Sequence, residues 1–305
     1  MQLTIERGAT LPFAQLPPKS IALDGYCQGP GIDAVLERFS FDHHDGCIRL
    51  VTSATCKQVF DAILLGLNPE GFTVYVNDVD GDTALSVWLL QNPKMVRTYA
   101  VELGELVNVV SNMDAHGPAY PMLKRAVALS HAFYEIVMQP ERDARASRTY
   151  GTLSLDELMA QCLHRIDSLV AGFAVNGEAL PPVPPPEKVE YTITHRDESG
   201  WVMAQSAHFI FTQLYLDGID KAVAYDRLPD GSYVYTIGKR SEFIPRFPIG
   251  PQSNSGSILA ELNRHESGWG GGSSIGGAPR NPDGSRSRLH PDEVFRLIQH
   301  LTSAL

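Results

Sequence analysis

Cysteine is scarce in this chain of 305 residues: there are four, Cys27, Cys47, Cys56 and Cys162, and none falls in a Cys-x-x-Cys pair. In a reducing compartment all four are expected to be free thiols that pack as small apolar groups. No run of about eighteen apolar residues exists, which argues against a membrane-spanning helix. The opening MQLTIERGATLPF has no basic segment followed by an apolar one, so no secretory signal is expected and a cytoplasmic location follows as the default. Positive charge is thin as well. Lys and Arg number 25 against 35 Asp and Glu, a formal net charge of −10, and no basic cluster could follow a duplex backbone. Long double-stranded nucleic acid is therefore not an expected partner. Internal repeats are absent too.

The chain does have enough apolar sequence for a real core, with 43% hydrophobic and 20% charged residues. Its length is compatible with two domains. The stretch NGEALPPVPPPEK, residues 176–188, has five prolines, which cannot continue a helix and favour an extended, semi-rigid connector. The expected organisation is a domain over 1–175, a linker over 176–188 and a smaller domain over 189–305.

In the longer part, SIALDG (20–25), the apolar run into FSFDHH (39–44) and FTVYVNDVDGD (72–82) each resemble a buried strand ending in acidic residues. Short continuous apolar runs suit a parallel sheet covered on both faces. TSATCKQVFDAILLGL (52–67) has helical apolar spacing, and VNVVSNMDAHG (107–117) is expected to supply a fourth strand. Helices are expected over PMLKRAVALSHAFYEIVMQ (121–139) and from the capping box of Ser154 and Glu157 towards Phe173. His131 and His164 lie inside these helices and are expected to be packing or surface residues.

The alternation predicts an α/β fold: a mostly parallel N-terminal sheet flanked by helices, followed by a smaller α+β domain. In the smaller part, strands are expected at VEYTITH (189–195), WVMAQSA (201–207) and AVAYDRLPDGSYVYTIGKRS (222–241), the last a hairpin turning at Pro229, Asp230 and Gly231. ILAELNRHESG (258–268) and PDEVFRLIQHL (291–301) are expected to be helical.

On this reading Asp24, Asp42, His43, His44, Asp78, Asp80, Asp82, Asp114 and His116 all follow apolar runs. In a parallel α/β sheet the carboxyl ends of the strands converge on one crevice, where these residues would meet. Carboxylates gathered there repel one another unless a cation neutralises them, so the economical explanation is a bound metal. Carboxylates with one or two imidazoles suit Mn²⁺ first, with Mg²⁺ or Fe²⁺ as alternatives, whereas a closed structural zinc site would want several thiolates. One or two ions are expected; a pair roughly 3.5 to 4 Å apart would suit phosphoryl hydrolysis. DVDGD taken alone is equally compatible with a calcium loop or a polar turn.

IALDG followed by FSFDHH resembles the DHH phosphoesterase superfamily, whose Asp-His-His triplet is matched by Asp42, His43 and His44. The resemblance implies that Asp24 is the aspartate of the preceding strand, that His43 ligates metal and that His44 faces the phosphate. YTIGKRS followed by ILAELNRHESGWGGGSSIGG resembles the substrate-binding domain that accompanies DHH proteins. It implies that Arg240, Ser241, Gly270, Gly271 and Gly272 contact substrate, with glycine amides approaching a phosphate and arginine gripping it. Ser273, next after the glycines, and Arg280, just beyond them and able to add a second positive contact, are further substrate-binding candidates by position. The match departs in two places. The family's upstream Asp-x-Asp has no counterpart before Asp24, and DVDGD lies downstream instead; Ser273 stands where the family has histidine.

The expected activity is thus metal-dependent phosphoester hydrolysis, with His44, Asp42 and Asp80 as catalytic candidates. The expected substrate, a phosphorylated small molecule or short single-stranded oligonucleotide, would lie in a cleft between the domains. The departures leave a second reading open, a DHH-like protein that binds a phosphorylated ligand without cutting it. The oligomeric state is open, a homodimer included.

Overall fold

The computed structural model describes residues 1–303 except 45, 49, 185–187, 252, 282 and 283. Asp45 of the FDHHDG stretch and the middle of the proline-rich segment thus lie outside the described residues. The chain forms two compact units, Met1–Pro184 and Pro185–Leu305. Residues 177–184 carry no helix or strand, as expected of closely spaced prolines.

Unit 1 is built on a five-stranded sheet of β1 (Gln2–Ile5), β2 (Ser20–Leu23), β3 (Gly31–Asp33), β4 (Arg38–Phe41) and β5 (Thr73–Val76), in the order β1-β5-β2-β4-β3. All pairings are parallel except β3 on β4. Alternation along β2 divides the apolar side chains between the two faces. Ile21 and Leu23 join Val74 and Val76 in the main core, whereas Ala22 packs with Leu16, Tyr26 and Cys27 in a smaller cluster.

The main core is closed by α1 (Thr55–Leu64), α2 (Gly81–Gln91), α3 (Pro93–Thr98), α4 (Ala100–His116), α5 (Lys124–Ser130), α6 (Gln139–Ala146) and α7 (Leu155–Val170). Helix α2 is apolar nearly all round and is buried from Gly81 to Leu90, as a central helix must be. Trp88 fills its middle and donates its indole N–H to Asp167 of α7 at 2.6 Å. Ser154 caps α7 by accepting from the Glu157 amide, as the sequence implies. The helix expected over 121–139 is present but interrupted: α5 passes into a π-helical stretch, His131–Val137, before α6. His131 is half-buried and His164 exposed.

One expected strand is a helix. Residues 107–117 belong to the C-terminal half of α4 and the turn after it. Val107, Val109 and Val110 favour strand locally, but the wider pattern of Leu103, Leu106, Val107 and Val110 follows one helix face, and burial of that face overrides intrinsic preference. The change affects the site. On a strand Asp114 and His116 would share a face, whereas two residues apart on a helix they point in roughly opposite directions.

Unit 2 holds a six-stranded sheet of β6 (Thr192–Arg196), β7 (Val202–Gln205), β8 (Lys221–Arg227), β9 (Tyr233–Lys239), β10 (Gly270–Gly271) and β11 (Ile275–Gly277), in the order β10-β11-β9-β8-β7-β6. Only β7 and β8 run parallel. Helices α8 (Phe211–Leu216), α9 (Ile258–His265) and α10 (Pro291–Ser303) accompany it. Its core gathers Trp201, Tyr235, Phe247 and Trp269 with Leu259, Leu262 and Ile298. The glycine-rich segment forms the edge hairpin of β10 and β11, because its backbone continues the ladder of β9.

Candidate metal centre

Strands β2, β4 and β5 run parallel, so the segments leaving them emerge along one edge of the sheet. Leu23 and Tyr26 enclose a tight turn closed by a 3.1 Å backbone bond, with Asp24 at φ +52° and Gly25 at φ +78°. A non-glycine residue in the left-handed region is uncommon, and here it places the Asp24 carboxylate at the end of β2. Two threonine hydroxyls hold that carboxylate, Thr55 on Oδ1 and Thr83 on Oδ2, each at 3.1 Å.

After β4 the chain turns through Asp42, His43 and His44. Asp42 is fully buried, and its Oδ1 accepts from the amides of His43 and His44 at 2.8 and 3.0 Å and faces His44 Nδ1 at 2.9 Å. Its other oxygen, Oδ2, is buried without a hydrogen-bond partner among the described residues. His43 is fully buried and turns Nε2 towards three carboxylates: Asp114 at 2.9 Å, Asp24 at 3.4 Å and Asp82 at 3.8 Å. His44 is half-exposed and also lies 3.5 Å from Asp24 Oδ1.

The segment after β5 supplies the remaining carboxylates. Asp80 is the N-cap of α2 and accepts from the Thr83 amide at 2.9 Å. Asp82, in the first turn, reaches across to the start of α1 and accepts from the Thr55 and Cys56 amides, both at 2.7 Å. A carboxylate suits a helix N-terminus, where amides lack intrahelical partners and the helix dipole is positive. DVDGD therefore opens a helix and is not a calcium-binding loop closed on itself.

These groups perturb one another. Burial raises the Asp80 carboxyl well above the usual range, and the charges of Asp24, Asp114 and Asp82 add to it. Burial, with Asp24 and Asp114, pushes Asp82 up to about 7. Burial works against charge on His43, but hydrogen bonds to Asp114 and Asp24 overcome it and raise the imidazole to about 10. Asp24 stays below its ordinary value: burial raises it, and His43, His44 and Thr83 outweigh that. This is the pattern of a site with surplus negative charge, where a proton on His43 supplies part of the compensation that a cation would supply.

Two sets of side chains have donor atoms close enough to hold an ion, Asp24 with His43 and His44, and His43 with Asp82 and Asp114, each set within 4.8 Å. The residues fit a metal chemically: oxygen and imidazole donors converge, and Asp42 adds a buried oxygen with unspent acceptor capacity. His43 belongs to both sets, yet an imidazole nitrogen has one lone pair to give. The sets therefore describe one centre through His43 with a neighbouring carboxylate position, not two complete sites.

Several expected ligands stand apart from these sets. Asp78 is half-exposed and is taken by Tyr150, which hydrogen-bonds Oδ1, and by Arg145 at 3.5 Å from Oδ2. His116 ends α4 and stacks on Tyr120, with ring centroids 5.4 Å apart. Thr55, Thr83 and the capping role of Asp82 were missed from the sequence, although a threonine at the start of each helix is the ordinary sign of local hydrogen bonding.

No family model matches the chain, and no curated protein matches it.

The residues singled out in unit 2 are only partly assembled. Gly270, Gly271, Gly272 and Arg280 line one cavity of about 410 Å³, together with Phe209 and Arg286. Gly271, at φ +148°, has no room for a Cβ, which would sit 2.4 Å from Gly276 Cα and from Ile275 O. Arg240 is engaged elsewhere: it pairs with Asp220 at 3.0 Å and donates to the Tyr215 carbonyl at 3.1 Å, tying the end of α8 to the end of β9. Ser241 accepts from the Ile244 amide in the turn that follows. Ser273 donates to Glu242 at 2.7 Å.

Proposed function

We propose that the chain is a metal-dependent phosphoesterase of the DHH type. Its substrate would be a small nucleotide, a short single-stranded oligonucleotide or another phosphorylated small molecule. The observation that carries this reading is the convergence of Asp24, His43, His44, Asp82 and Asp114 at one edge of a parallel sheet. The donor set favours Mn²⁺, with Mg²⁺ and Fe²⁺ as alternatives. When bound, such an ion acidifies a water molecule and stabilises negative charge on a phosphoryl oxygen.

The chain's own residues divide the remaining work. Asp24, His43 and Asp114 would hold the ion, with Asp82 and Asp80 supplying the neighbouring negative charge that admits a second. His43 must give up its proton to ligate. Asp42 holds His44 through Nδ1 and so fixes a half-exposed ring where it can meet a phosphate. Thr55 and Thr83 keep the Asp24 carboxylate aimed by occupying one lone pair on each of its oxygens.

Elemental analysis of protein purified without chelators, repeated after Mn²⁺ titration, tests the reading. One or two ions per chain are expected, fewer in Asp80→Asn and none at the His43 centre in His43→Ala, with turnover of phosphate esters following the metal. No ion after titration, or full uptake and turnover in both Asp42→Asn and His43→Ala, would sink it. The second reading, binding without hydrolysis, draws on Ser273, which stands where the DHH pattern has histidine and whose hydroxyl is committed to Glu242. Saturable binding of a nucleotide with no product under any divalent metal would select that reading.

A further inference from the structure

A second group of charged side chains lies along the same edge of unit 1, on the side away from His43 and His44. Strand β1 is the edge strand beside β5, and the chain leaves it in parallel with β5: Glu6 N bonds to Val76 O and Gly8 N to Asn77 O, both at 2.9 Å. The backbone at Arg7 thereby runs beside Asn77, one residue before Asp78. From the other direction α6 and the turn after it bring Arg145 and Tyr150 to the same place. The Tyr150 hydroxyl hydrogen-bonds Asp78 and lies 3.1 Å from the Val79 amide and 2.8 Å from the Val79 carbonyl. Its ring lies under two guanidinium groups, Arg145 at 3.9 Å and Arg7 at 5.5 Å from the centroid.

Each arginine keeps N–H donors beyond those this arrangement uses, Arg145 in spite of its pairing with Glu141 and Asp78. Arg7 is exposed, donates to the Leu153 carbonyl at 2.7 Å and has no carboxylate within 4.0 Å among the described residues. Arg145 is anchored by Glu141, which is buried, while its approach to Asp78 is a long 3.5 Å and its Nη1 makes no hydrogen bond among the described residues. Stacking on an aromatic ring fixes the plane of a guanidinium and leaves its edge, with paired N–H donors, for an oxyanion.

We propose that Arg7, Arg145 and Tyr150 form an anion subsite that takes a phosphate group of the substrate other than the one at the metal centre. The proposal rests on the phosphoesterase reading and narrows its substrate to a molecule with two anionic groups. Along the edge the order is Arg7 after β1, Asp78 to Asp82 after β5, Asp24 after β2 and the histidines after β4. Two strand spacings separate β1 from β2, about 10 Å at roughly 4.8 Å each. That span suits a second phosphate one sugar or a few bonds away from the reacting phosphorus. It also answers a difficulty of charge: a centre rich in carboxylates attracts an anionic substrate poorly unless fixed cations flank it.

Calorimetric titration of the full chain with inorganic phosphate, after metal removal by chelation, tests the subsite apart from the metal. The variants are Arg7→Gln, Arg145→Gln and, as a control for the glycine-lined cavity, Arg280→Gln. Phosphate affinity is expected to fall at least fivefold in each of the first two and to be unchanged in the third, with Mn²⁺ uptake intact in all three. If Arg145→Gln does not fold, Arg7→Gln decides, since that surface side chain's partners among the described residues are a carbonyl oxygen and a ring. Absence of phosphate binding to the wild-type chain, or wild-type affinity in the variants, would overturn the subsite. Absence of Mn²⁺ uptake by the wild type would instead sink the phosphoesterase reading, a result the phosphate titration does not depend on.

Discussion

The acidic centre of unit 1 and the glycine-lined cavity of unit 2 both contain residues of types that handle phosphate, but they are held in opposite ways. At the centre, Asp42, His43 and Asp82 are buried, the two carboxylates fixed by backbone amides, and burial, together with the charges left facing one another, raises Asp80 and Asp82. In unit 2, Arg240 and Arg280 are exposed, and Arg240 already has a carboxylate and a carbonyl as partners. Burying like charges together destabilises a fold, so the first arrangement asks for a ligand to explain it. A half-exposed ion pair that ties a helix to a strand asks for none.

The largest effect that could break this contrast is expected at His43. His43→Ala should abolish Mn²⁺ uptake at its centre and lower phosphoester turnover at least about 10³-fold, roughly 4 kcal/mol of transition-state stabilisation. Elemental analysis and steady-state rates read both. Retained uptake would remove the reason for treating the two regions differently.

Asp82 comes next and separates structure from ligation. Its two oxygens accept the Thr55 and Cys56 amides. Asp82→Ala would leave two buried donors unpaired, and chemical denaturation of the metal-free chain should show a loss of about 2 kcal/mol, after some relief of repulsion among the remaining carboxylates. No loss would mean that Asp82 is there for an ion alone.

A pH series sharpens the contrast further. His43 is raised to about 10 from an unfolded reference of 6.5. Its proton therefore stabilises the metal-free fold fully below about pH 6.5, and that contribution is lost as pH rises through about 10. An ion must displace this proton, so Mn²⁺ affinity should rise by about tenfold per pH unit between about 6.5 and 9, and more steeply where the raised Asp80 and Asp82 carboxyls also lose protons, with at least about one proton released per ion. Calorimetry in buffers of different ionisation enthalpy counts that proton. Affinity flat across the window would place the ion away from His43.

Strand β2, the approach to the Asp-His-His triplet and the strand before DVDGD were legible because each is a short apolar run stopped by acidic residues, and parallel pairing brings such stops together. The hairpin at Pro229, Asp230 and Gly231 and the cap at Ser154 were legible from local turn and cap chemistry. What failed was anything that needed a neighbour. Residues 107–117 have strand-forming valines, and only the packing of the whole of α4 against α1 and α2 makes them helical, which in turn separates Asp114 from His116. Asp78 and Asp80 are indistinguishable in the sequence. A distant tyrosine, Tyr150, and Arg145 engage the first, while the second caps a helix. Arg240 likewise carries a pattern suited to phosphate, and the Asp220 that occupies it is twenty residues away.

The smallest expected effect falls on that last residue. Arg240 and Asp220 are each about two-fifths exposed, so solvent screens the pair, and exposed pairs of this kind contribute about 1 kcal/mol or less. Arg240→Gln should therefore lower stability by no more than that while leaving turnover within about twofold, because the side chain faces Tyr215 and Asp220 and does not line the glycine cavity. Thermal unfolding and steady-state rates on the same preparation distinguish the outcomes. A stable variant with turnover reduced tenfold or more would show that the arginine leaves Asp220 to meet substrate. The contrast between a buried centre built for a ligand and an exposed pair built for the fold would then fail at its weakest point.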